Sequence, residues 1–146
     1  MIKTIGAFLL AVIGTYVLGV LFIGQGNLAN IAELGLNVAF GDRVDTFLHD
    51  LTHMTAIYLP LVTISSVIAF PVAAGIFRRA PNFRLVGYVA AGFVALVAMH
   101  VIMKMVVGLT GVAATRTLLG LFAQGIAGAA GGYLFHRLTQ KKPADD

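Results

Sequence analysis

Two histidines four residues apart stand in the run Leu48-His49-Asp50-Leu51-Thr52-His53. On a helix that spacing puts His49 and His53 on one face, where neutral imidazoles can ligate a metal. A second constellation, Met99-His100-Val101-Ile102-Met103-Lys104, sets a histidine and a lysine four apart inside an apolar stretch. Lys104 can snorkel its ammonium to a headgroup region. His100 is shorter, and needs a partner inside whatever bundle holds it. Asp50 is the carboxylate expected to pair with Lys104 or His100. Arg116 and Gln124 complete the polar set.

These residues can meet only if they come to one level, and the composition says what kind of level that is. Of 146 residues 59% are hydrophobic and 11% charged, with mean hydropathy +0.93. A soluble domain is typically about 25% charged, so lipid must solvate much of this surface. The expected fold is an all-α integral membrane protein of four transmembrane helices in an up-down antiparallel bundle. The spans read as about 4–24, 47–77, 85–109 and 117–138, each near the ~20 apolar residues a bilayer requires or longer. Residues 1–138 form one domain, and 139–146 a polar cytoplasmic tail. The first run exceeds the ~7–15 apolar residues of a leader's core, so it reads as a span. Between the first two spans, Leu28, Ile31, Leu34 and Val38 recur near helical spacing and predict a short interfacial helix. Pro60 and Pro71 predict bends in the long second span, with Thr63, Ser65 and Ser66 available to satisfy freed carbonyls.

Lysine and arginine orient the spans. Lys3, Arg78, Arg79, Arg84, Arg137, Lys141 and Lys142 lie at one side, and Arg43, Lys104 and Arg116 at the other. Seven against three predicts cytoplasmic N- and C-termini, in a membrane of the bacterial inner type. The pI near 9.8 follows from these flanking cations, so nucleic acid is not an expected partner.

On this topology His49, Asp50, His53, His100, Lys104, Arg116 and Gln124 all fall in the outer half. Counted from Arg84 at 1.5 Å per residue, His100 lies about 24 Å and Lys104 about 30 Å along its helix, in a hydrocarbon core about 30 Å thick. Ionisable groups at such depth are costly, so their convergence predicts a ligand site or an ordering network. The fourth span carries a small-residue stripe, Gly120, Gln124, Gly128 and Gly132, flanked by Gly125. Such a stripe lets backbones approach closely, within the chain or against a second copy or partner subunit.

Four functional readings follow. In the first, the outer polar set binds or transports an ion, a metal or a small anion, as an oligomer. The metal would take His49, His53 and His100; an anion would take Lys104 and Arg116. In the second, the chain is an accessory or assembly subunit that docks through its glycine-rich helix. In the third, His53 and His100 hold a haem between them. The fourth, an enzyme acting on lipid, lacks a visible nucleophile. Absence of cysteine removes thiolate chemistry, and no P-loop, dinucleotide fingerprint or G-x-S-x-G occurs.

Overall fold

The computed structural model describes residues 2–108 and 113–140. Lys141 and Lys142, the rest of the tail, and the connection at 109–112 lie outside them. The described chain is helical: α1 Ile2–Glu33, α2 Phe40–His53, α3 Tyr58–Ile76, α4 Arg84–Val107 and α5 Leu118–Thr139, with short 3₁₀ turns at Pro81–Phe83 and Ala113–Arg116. Four of these helices are long and apolar enough to cross a membrane, and α2 is the short one between the first two.

α1 is longer than expected. Its 32 residues extend about 48 Å, so the stretch read as a connection continues the helix through Glu33. It stops at Gly35, which takes the left-handed φ of 83° that other residues adopt at a cost. The interfacial helix exists, but later in the chain than Leu28–Val38 suggested. At its start the Asp42 carboxylate accepts from the Ala39 amide at 2.8 Å, satisfying one of the donors a helix start leaves over.

The region read as one span over 47–77 is two helices, separated at Met54–Ile57. The prolines act differently from expectation. Pro60 is the third residue of α3, within the first turn, where its missing N–H costs no helical bond. Pro71 is inside α3. Thr63, Ser65 and Ser66 donate to the carbonyls of Leu59, Leu61 and Val62, each one turn back, rather than to Val67, whose carbonyl Pro71 leaves without its helical donor.

Helices α1, α3, α4 and α5 run alternately up and down and pack in a ring, each against two others. Two layers fill the interior. Near the termini, α1, α3, α4 and α5 contribute Phe8, Phe70, Tyr88 and Phe135. Phe70 and Phe135 stack with centroids 4.8 Å apart, and Phe8 and Tyr88 meet this pair edge-on. In the other half the same four helices contribute Tyr16, Tyr58, His100 and Gln124, all buried.

The glycine stripe of α5 is used within the chain. A Cβ on Gly128 would strike the carbonyl of Gly92 on α4, one on Gly132 the carbonyl of Tyr88, and one on Gly125 the ring of Phe93. On the adjoining face, Gly131 meets Ala11 and Thr15 of α1, and Gly120 meets the carbonyl of Ala114. Of the two uses expected for the stripe, packing within the chain is the one seen, against α1 and α4. Large apolar side chains stand outward instead, among them Leu9, Ile13, Ile64, Val72, Val94, Leu119 and Phe122. A bilayer is the solvent that suits them.

Candidate polar site at the α4–α5 end of the bundle

The polar layer is built from the side chains that point inward at one level. Tyr58, the first residue of α3, donates its hydroxyl to Gln124 Oε1 at 2.5 Å. The Gln124 amide in turn donates to the Gly19 carbonyl of α1 at 3.1 Å. Gly19 is glycine for this reason, since a Cβ there would overlap the Tyr58 ring. Tyr16 donates to the Leu51 carbonyl at 2.7 Å and lies 2.9 Å from Thr55 Oγ1, which pins the α2–α3 corner to α1. The Tyr58 ring is 5.9 Å from that of Tyr16 and 6.1 Å from that of His100.

His100 is 4% exposed. Its Nδ1 is 2.9 Å from the Leu96 carbonyl. A carbonyl only accepts, so Nδ1 carries a proton, and Nε2 of the neutral ring is left as an acceptor. Nε2 is buried and has no hydrogen-bond partner among the described residues. An unsatisfied buried polar atom costs roughly 1–3 kcal/mol, which calls for a reason.

A polar groove adjoins the residue. His100 lines a groove of about 430 Å³ between α4 and the start of α5, with Val101, Lys104, Met105, Thr115, Arg116, Thr117, Leu118 and Leu121. Lys104 lies one turn beyond His100, where α4 ends at Gly108 with φ 69°. Arg116 ends the Ala113–Arg116 turn. Thr117 caps α5, its Oγ1 accepting from the Gly120 amide at 3.0 Å. Among the described residues two cations and no carboxylate line the groove, so its field favours an anion.

The remaining predicted residues stand elsewhere. His49 and His53 are exposed on α2, their rings stacked at 3.8 Å, with His53 Nδ1 bonded to the His49 carbonyl at 2.8 Å. Neither lines the groove. Asp50 faces α1, its carboxylate 3.2 Å from where a Cβ of Gly24 would be, and it does not line the groove. The cause is the α2–α1 attachment: besides Tyr16, Arg43 donates to Gln25 Oε1 at 2.7 Å. Gln124 belongs to the interior layer. Among the described residues no three His, Asp or Glu side chains gather as a metal would need, and an exposed His53 and a buried His100 do not form an axial pair. Tyr16 and Tyr58 were missed. Their level in the bundle, shared with His100 and Gln124, is the signal that could have found them.

The fold defines a multi-pass helical membrane protein. No family model, curated protein or solved structure matches the chain.

Proposed function

We propose that this membrane protein binds a small anionic group in the groove between α4 and α5. The observation that carries the reading is the placing of two cations, Lys104 and Arg116, in one groove. His100 lines the same groove, and its acceptor Nε2 can take a hydrogen bond from a hydroxyl of the bound group. Lys104 and Arg116 supply charge, and His100 lines the groove one turn deeper along α4. A metal ion is the poorer fit, because two cations would repel it. With the termini cytoplasmic, as the basic residues suggest, the groove belongs to the outer leaflet of an inner-type membrane. A single bundle offers no route along its axis, because the aromatic layer Phe8, Phe70, Tyr88 and Phe135 fills the other half. Conduction would therefore fall to an assembly of copies, and binding is the simpler activity. Titration of lipid-stripped protein with inorganic phosphate and sulfate tests the reading. Saturable binding that is weakened in Lys104→Met supports it, and no binding of either anion or of any anionic lipid ends it.

A second reading, an accessory subunit, has its own observation. Ser65 and Ala69 of α3 and Ala91, Ala95 and Ala98 of α4 line an outward groove of about 340 Å³. Small residues of this kind admit a neighbouring helix. Ala95→Leu should then reduce assembly size in detergent and leave anion binding intact.

A further inference from the structure

The groove at Lys104 and Arg116 is two-natured. Its polar lining is joined by Val101, Met105, Leu118 and Leu121. Met105 is 78% and Leu118 86% exposed. On helices that cross a membrane, such side chains meet acyl chains. The groove is thus flanked by groups suited to hydrocarbon and opens sideways toward the bilayer.

Depth agrees with this. Twenty residues separate Arg84 from Lys104, about 30 Å of helix, which matches the hydrocarbon thickness. Lys104 therefore reaches the headgroup boundary when Arg84 lies at the opposite one. His100 sits one turn deeper, about 6 Å, where the first carbons of a lipid would lie. A free anion arriving from water has no use for the apolar side chains. An anion attached to an apolar tail uses both halves of the groove.

We propose that the anionic group bound here is the phosphate of a membrane lipid of net negative charge, seated from the bilayer side. Its charge meets Lys104 and Arg116, and its proximal acyl carbons lie along Val101 and Leu121. The inference rests on the anion-binding reading above, and the experiment separates the two.

Full-length protein is reconstituted in nanodiscs of mixed phosphatidylglycerol and phosphatidylcholine with identical tails. The lipid that remains bound after detergent extraction is counted by native mass spectrometry. Juxtamembrane cations favour anionic lipid by about 1 kcal/mol each, so retention of phosphatidylglycerol should exceed that of phosphatidylcholine by roughly tenfold or more. Lys104→Met combined with Arg116→Gln should abolish the preference, and the charge-conserving Lys104→Arg should keep it. Leu118→Ser, which removes an apolar side chain of the groove, should weaken lipid retention. Equal retention of the two lipids in the wild type overturns the inference. If inorganic phosphate still binds in that case, the anion-binding reading survives alone. If neither phosphate nor anionic lipid binds, both fall.

Discussion

The Tyr58 hydroxyl and the Gln124 side-chain oxygen are joined by a hydrogen bond between residues 66 positions apart in sequence. The bond links the start of α3 to the second turn of α5, across the bundle interior. Because Gln124 also donates to Gly19, one amide ties three helices at a single level. In hydrocarbon such bonds contribute modestly, on average about 0.6 kcal/mol, since the unfolded chain in the membrane also finds partners.

Tyr58→Phe should therefore destabilise the bundle by about 1 kcal/mol, most of it from the orphaned Gln124 oxygen. A double-mutant cycle with Gln124→Leu, followed by unfolding in bicelles, reads the coupling directly. Additive losses would mean that the two side chains act independently.

Gly128→Leu should be costly without altering assembly. The added carbons have nowhere to go but into the Gly92 carbonyl, and overpacking typically costs about 1–3 kcal/mol. Gly92→Leu on the facing helix should behave alike. A lower melting temperature with unchanged particle size in detergent is the expected pair of results. A change in oligomer size alone would place the stripe at an interface between copies.

The four spans were legible because apolar length alone encodes them, and the short helix was legible as an element but not in position. Its apolar periodicity through Leu28–Val38 belongs mostly to the end of α1, and a run of helical spacing does not say which helix it continues. The break after His53 was masked because Leu51, Met54 and Ile57 keep the stretch apolar across it. At the site, depth counting brought His100, Lys104 and Arg116 to one groove. It failed for His53 and Asp50, because depth fixes a level but not a direction around the bundle. The turn of α2 toward α1 depends on Tyr16 and Arg43, whose contacts span 35 and 18 residues of sequence.

Orientation is open to direct labelling. The natural chain has no cysteine, so a single Cys placed at Thr139 needs no background removal. With cytoplasmic termini it should resist a membrane-impermeant maleimide in intact cells and react after permeabilisation. A Cys at the exposed Asp45 should label from outside. The opposite pattern would invert the protein and move the α4–α5 groove to the inner leaflet.

His100 gives the sharpest test of function. His100→Phe keeps the ring volume and removes both nitrogens. It deletes the bond from Nδ1 to Leu96, a local contact within one helix, and it also removes the unpartnered Nε2. The two effects oppose each other, so melting should change little. If the groove's ligand donates a hydroxyl hydrogen bond to Nε2, as inorganic phosphate or a glycerol headgroup can, His100→Phe should weaken its binding while the bundle stays folded. Lys104→Met should weaken the same ligand by roughly fivefold through loss of charge. The two variants then share a binding defect that stability does not explain. Collapse of His100→Phe in unfolding assays, with no anion bound by the wild type, would instead make His100 a structural member of the Tyr16, Tyr58 and Gln124 layer and leave the accessory-subunit reading in its place.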